Sequence, residues 1–151
     1  MYKFKRNKKV KNATECTYEG IKFKSKLELV CYKWLKLYDL KFEYEKLKIE
    51  LIPSFKPNIP LYEFNAKKGI LNENLKITRT CTYTPDFIVK TSKGLILLET
   101  KGFETDSFKL KFKMLRAKLQ GQLDLPIIGL FLVKNQRQIK ECIEIIKSKY
   151  I

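Results

Sequence analysis

Asp86, Glu99 and Lys101 are two carboxylates and an ammonium group whose spacing could place them at one point in space. They lie in the stretch from Tyr83 to Gly102. It contains the run Tyr83-Thr84-Pro85-Asp86-Phe87-Ile88-Val89, a turn over residues 90–94, and the run Leu95-Ile96-Leu97-Leu98-Glu99-Thr100-Lys101-Gly102. Two apolar, β-branched runs around a Gly-containing turn predict a β-hairpin. Folding about residues 91–93 sets residue 86 opposite residue 98 or 99. Side chains alternate along a strand, so Glu99 and Lys101 share a face. The three groups then converge at one end of an otherwise apolar sheet, where desolvated charge needs compensation. A divalent cation would compensate both carboxylates, and a hard ion such as Mg²⁺ keeps positions open for water and phosphate. A lysine at that point orients or activates the attacking water, or offsets charge developing on phosphate. For the hairpin taken alone, a structural ion pair on a sheet rim is the alternative.

The elements before the hairpin supply a further acid. Residues 16–24 alternate as a short strand or extended lead-in, anchored by Tyr18, Ile21 and Phe23. Ser25 with Glu28 three residues later forms a capping-box pattern. It predicts a helix over about 26–38 with Leu27, Val30, Cys31, Trp34, Leu37 and Tyr38 on one face. Glu28 lies at the edge of that face. It is either a solvated capping carboxylate or a third acid directed along the core boundary towards the hairpin. Residues 42–52 read as a strand ended by Pro53, and 75–82 as a strand leading into Tyr83. Between them, 53–74 reads as an irregular insertion rich in Pro and Asn. A connection of that length often carries function, here a flap over substrate or a dimer contact.

After Gly102, the run Glu104-Thr105-Asp106-Ser107 offers good N-cap residues, predicting a helix to about Leu119. Phe108, Phe112, Leu115 and Leu119 form one apolar seam, and Leu110, Met114 and Ala117 another. Lys109, Lys113 and Arg116 form a basic ridge, read as the place where a substrate phosphate arrives or as a solvated face. The continuous apolar run 126–133 predicts a strand buried on both faces, as in parallel pairing. Asn135 and Gln138 then cap a last helix with Ile139, Cys142, Ile143 and Ile146 inward. The order of elements predicts an α/β fold with a mixed central β-sheet flanked by helices.

Charge narrows the class of partner. The chain has 151 residues, with 32 Lys and Arg against 16 Asp and Glu, a net charge of +16. Such an excess calls for a polyanion, nucleic acid first and an anionic membrane surface second. Residues 1–12 read as a basic arm, either a solubilising tail or one that follows a phosphate backbone. There is no histidine, which excludes a histidine general base and histidine zinc sites. Cys16, Cys31, Cys81 and Cys142 lack zinc-ligand spacing. Scattered cysteines and no signal peptide point to reduced thiols in a cytoplasm. No apolar run approaches ~18 residues, so no membrane span is expected.

Pro85-Asp86 followed across a hairpin by Glu99-Thr100-Lys101 resembles the signature of the PD-(D/E)XK nucleases. The run Tyr18-Glu19-Gly20-Ile21-Lys22-Phe23-Lys24-Ser25-Lys26-Leu27-Glu28 is similar to the lead-in of a phage-encoded branch of that superfamily. There a Gly-Ile-x-Phe-x-Ser-x-x-Glu run precedes the catalytic hairpin, and its glutamate belongs to the active site. Two separated motifs in the same order are more specific than either alone, and the resemblance spans about 18–119. It implies a restriction-endonuclease-like core forming a single nuclease domain over 13–151. It also implies a Mg²⁺-dependent DNA endonuclease, with Mn²⁺ able to substitute. Asp86, Glu99 and the Thr100 backbone carbonyl would hold metal, Glu28 a second ion or an outer water, and Lys101 the nucleophilic water. Lys109, Lys113 and Arg116 would guide DNA. Similarity to Holliday-junction resolvases and phage endonuclease I implies branched DNA and a homodimer. No P-loop is present, so no nucleotide cofactor is expected. The competing expectation is a non-catalytic nucleic-acid-binding protein that keeps the fold.

Overall fold

The computed structural model describes residues 14–121 and 124–151, so the basic arm at 1–12 lies outside the described residues. In chain order the elements are β1 (Cys16–Tyr18), β2 (Ile21–Phe23), α1 (Lys26–Leu37), β3 (Lys41–Tyr44), β4 (Ile49–Ile52), β5 (Leu61–Asn65), β6 (Ile70–Asn74), β7 (Cys81–Tyr83), β8 (Phe87–Lys90), β9 (Leu95–Thr100), α2 (Asp106–Lys118), β10 (Ile127–Val133) and α3 (Gln136–Tyr150). They divide into two compact units. The first holds the described residues up to 46, with 85–104 and 125–151. The second holds 47–84 and 105–124.

The first unit is built on a four-stranded mixed sheet ordered β10-β9-β8-β3. β3 and β8 are antiparallel, as are β8 and β9, while β10 runs parallel to β9. The β8–β9 hairpin forms where the two apolar runs predict it. At its turn, Thr91 Oγ1 accepts from the Lys93 and Gly94 amides. Gly94 is required by space: a Cβ there would stand 2.5 Å from the Pro126 carbonyl oxygen, the oxygen that accepts from the Leu95 amide at 2.8 Å as β10 begins. Phe87, Val89, Ile96 and Leu98 share a buried cluster with Cys31 and Leu35 of α1 and with Ile139, Cys142, Ile143 and Ile146 of α3. All four inward positions predicted for α3 are therefore buried. Its cap is also as predicted, with Asn135 Oδ1 accepting from the Gln138 amide at 3.0 Å.

The structure corrects three readings in this unit. β10 is the sheet's edge strand, and only Val133 in it is fully buried. The apolar run signals parallel pairing, which it has, but not coverage on both faces. Of the face predicted for α1, Cys31 is buried and Leu27, Val30, Trp34 and Tyr38 pack against the core cluster, with Glu28 and Leu35 also buried, while Leu37 is exposed. The helix ends there, with the Tyr38 amide donating to the Trp34 carbonyl at 3.0 Å. The strand read over 42–52 is two strands, broken at Glu45. Glu45 adopts a left-handed φ of 48°, directly after its amide makes the last bond in the β3–β8 register, to the Asp86 carbonyl at 2.9 Å.

The second unit contains two small antiparallel sheets and α2. β4 pairs with β7, and α2 is capped by Thr105, whose Oγ1 accepts from the Phe108 amide at 3.2 Å. Phe108 and Leu115 of the first predicted seam are buried, and Phe112 lies against Tyr83 with ring centroids 6.2 Å apart. In the second seam Leu110 and Ala117 are exposed and Met114 half-buried. The region read as irregular contains a regular hairpin, β5 with β6. Its turn is an Asx type, Asn65 Oδ1 accepting from the Lys67 and Lys68 amides. Only 81–83 of the predicted 75–82 strand is regular, preceded by a single bridge between Phe55 and Thr78.

A buried carboxylate site in the first unit

The β8–β9 register pairs Phe87 with Leu98, so Asp86 and Glu99 are the next residues in line. They meet as the hairpin requires. The Asp86 amide donates to Glu99 Oε2 at 3.3 Å. Thr100 donates twice to Asp86 Oδ2, from its amide at 2.8 Å and its hydroxyl at 2.7 Å. Both bonds fall on the same oxygen of the Asp86 carboxylate. The Lys101 amide is anchored to the Val133 carbonyl at 2.8 Å, so β10 fixes the backbone from which the lysine side chain leaves. Glu28, Asp86, Glu99 and Thr100 are the buried polar and charged residues of the described chain, at 5–7% exposure. Such burial is rare for carboxylates without a compensating partner.

Glu28 is both of the things the sequence allowed, a capping residue and a buried acid. The Glu28 amide donates to Ser25 Oγ at 3.2 Å, and Ser25 Oγ donates back to Oε1 at 2.9 Å. Oε2 accepts from the Lys24 amide at 3.0 Å and from the Tyr44 hydroxyl at 2.6 Å. Both oxygens are engaged, so the carboxylate is held in one orientation.

These groups feel one another. Burial raises the Asp86 carboxyl most strongly, both Thr100 hydrogen bonds oppose it, the charge of Glu28 raises it and Lys101 lowers it. The outcome is a pKa raised to about 6. Tyr44 is pushed well above the usual tyrosine value, first by burial and then by its bond to Glu28, so it stays a donor. Lys24 ion-pairs with Glu45, which raises its pKa, and the charges of Glu28 and Asp86 add to the effect.

The donor set matches a small hard cation. Among the described residues no three His, Cys, Asp or Glu side chains are grouped to enclose an ion. Mg²⁺ needs no such cage, because it binds through one or two carboxylates and keeps water and phosphate as its other ligands. Asp86 and Glu99 supply two buried carboxylates, one accepting from Thr100 and the other from the Asp86 amide. Burial is the main cause of the raised Asp86 pKa, and a bound cation would offset it.

Lys109, Lys113 and Arg116 are exposed on α2 in the second unit, with Lys109 Nζ 3.5 Å from Asp106. A concavity of about 660 Å³ lies on the β5–β6 hairpin, lined by Glu63, Asn65, Asn72 and Asn74 among others. It contains none of the buried acids, and burial with mutual hydrogen bonding is the better guide to chemistry here.

Tyr44 and Lys24 are the members of the site that sequence reasoning missed. Tyr44 reads as one more apolar position in an alternating strand. The available signal is that a buried tyrosine hydroxyl needs a partner, and Glu28 is an acid near the same core boundary. Tyr44→Phe keeps the ring packed on Phe23 and Phe87, at centroid distances of 4.9 and 5.2 Å. It removes only the donor to Glu28. A hydrogen bond to a charged group contributes roughly 1.5–3 kcal/mol, so urea unfolding should show a loss of that size. An unchanged midpoint would mean that the Tyr44 bond does not restrain Glu28.

Among the described residues no helix is long and apolar enough to cross a membrane, and all four cysteines are free thiols. No curated protein matches the chain, nor does any solved structure. One protein family does match, over residues 6–136, with the description "Protein of unknown function (DUF1064)".

Proposed function

We propose that this chain, which belongs to the DUF1064 family, is a divalent-metal-dependent endonuclease that hydrolyses the phosphodiester backbone of DNA. The core would be of the PD-(D/E)XK kind. The observation that carries the reading is the buried Asp86–Glu99 pair with Lys101 two residues on, in a protein of net charge +16.

In this reading Asp86 and Glu99 would hold Mg²⁺ or Mn²⁺, with the Thr100 backbone carbonyl as a further ligand. When bound, the ion supplies Lewis-acid stabilisation and a more acidic water. Thr100 fixes the Asp86 carboxylate through two hydrogen bonds to one oxygen. Glu28, locked by Ser25, Tyr44 and the Lys24 amide, accepts from a water or faces a second ion. The Lys101 ammonium orients the attacking water and offsets charge on the phosphate as it becomes five-coordinate. Water attacks in line, the bond to the 3′ oxygen breaks, and no side chain becomes covalently attached to substrate. Lys109, Lys113 and Arg116 bind backbone phosphates. The resemblance to junction resolvases favours branched DNA, cut by two copies on opposing strands.

The test is cleavage of linear duplex and four-way-junction DNA in Mg²⁺ and in EDTA, with binding followed by gel shift. Metal-dependent cutting, faster on the junction, is the expected result. Binding that persists in EDTA with no cutting of either DNA in Mg²⁺ would leave a non-catalytic DNA-binding protein and defeat the proposal.

A further inference from the structure

The β5–β6 hairpin carries a second, unrelated feature. Alternation and the observed register put Tyr62, Phe64, Leu71 and Glu73 on one face of this two-stranded ribbon. The other face is mixed, with Leu61 and Ile70 exposed at its two ends and Asn74 Nδ2 donating to Glu63 Oε2 at 2.7 Å. On the first face Tyr62 is 59% exposed, Phe64 67% and Leu71 64%. An isolated two-stranded hairpin is marginal in water, and this one spends two aromatic residues on solvent.

We propose that this face is the surface on which a second copy of the chain docks, hairpin against hairpin about a two-fold axis. Charge favours that occupant. Two molecules of net charge +16 repel, so they can meet only where positive charge is balanced. Residues 61–74 are such a place, with Glu63 and Glu73 against Lys67 and Lys68. DNA would call for a basic surface, which this is not. The ribbon is also complementary to itself. Lys67 and Lys68 sit in the turn, and Glu73 lies at the opposite, open end, across from Tyr62. Antiparallel stacking brings each turn against the other copy's Glu73, as an isologous contact demands. The three apolar side chains expose roughly 400 Å² per copy, a fitting centre for an interface of about 800 Å² per partner with a polar rim. This inference names a surface for the two-copy arrangement proposed above, but its test reads mass and not cutting, so the two can fail separately.

Sedimentation equilibrium of the full chain should give a dimer. The double variant Phe64→Ser/Leu71→Ser should weaken dimerisation by roughly 30-fold or more while keeping the circular dichroism spectrum. Glu73→Lys should also weaken it, and adding Lys67→Glu and Lys68→Glu to that variant should restore it. A wild-type chain that stays monomeric, or a dimer indifferent to all these changes, overturns the proposal. So does a double variant that lowers DNA affinity without changing mass, because the face would then belong to nucleic acid.

Discussion

Asp86→Asn should give a protein that no longer cuts DNA and is more stable than the wild type. Cleavage in Mg²⁺ should fall on the order of 10³-fold, because Asn offers a neutral oxygen where the site needs negative charge. The stability gain follows from the sign of the shift. The folded state holds the Asp86 carboxyl at about 6, above its ordinary 3.8. An acid with a raised folded-state pKa contributes its full stability below the unfolded value near 3.8, and loses it as pH rises through about 6. At pH 7 the ionised Asp86 is therefore a standing cost, on the order of 3 kcal/mol. Asn removes the charge and can still accept both Thr100 hydrogen bonds. Metal-free Asp86→Asn should melt roughly 6–12 °C higher at pH 7, and the gain should vanish near pH 4. Mg²⁺ should raise the melting temperature of the wild type but not of the variant. If Asp86→Asn is instead less stable at pH 7, Asp86 is a favourable ion pair of the scaffold and the catalytic reading loses its basis.

Lys101→Ala should separate rate from binding. The lysine acts on a single water or phosphate oxygen, so its loss should cost roughly 10²–10³-fold in cleavage. It is one cation among 32 Lys and Arg, so duplex affinity should change little and the salt slope by less than about one. The fold should not shift, because the Lys101 amide stays bonded to Val133. Lys101→Arg should restore the charge but not the rate, since a planar guanidinium does not place its donors as an ammonium does. Equal single-turnover rates for wild type and Lys101→Ala would remove the lysine from the reaction.

The parts of this molecule that were legible in its sequence are those set by local chemistry. Ser25, Thr105 and Asn135 cap helices because short polar side chains satisfy free amides, and they do so here. The hairpin register follows from turn position and alternation, and it carries Asp86 to Glu99. The rest depended on partners that lie far along the chain. An apolar run such as 127–133 reads alike at a sheet's edge and at its centre. The break at Glu45 needs a left-handed residue that is not glycine, set where the ladder ends opposite Asp86, 41 positions later. Tyr44 looks like core until Glu28 is found 2.6 Å from its hydroxyl. Leu37 follows the helical period but falls where the helix ends.

The hydrophobic cluster behind the acids draws on distant stretches, from α1 and Leu40, from β8 with β9, and from Val133 with α3. During synthesis the first two leave the ribosome well before Ile139, Cys142, Ile143 and Ile146. Until α3 emerges, Phe87, Val89, Ile96 and Leu98 have no cover from it, and the parallel neighbour β10 is also missing. Contacts this distant along the chain form slowly. The nascent polypeptide therefore passes through a stage with an open, sticky sheet. Chaperone demand should be greatest in that interval, before the last helix closes over it.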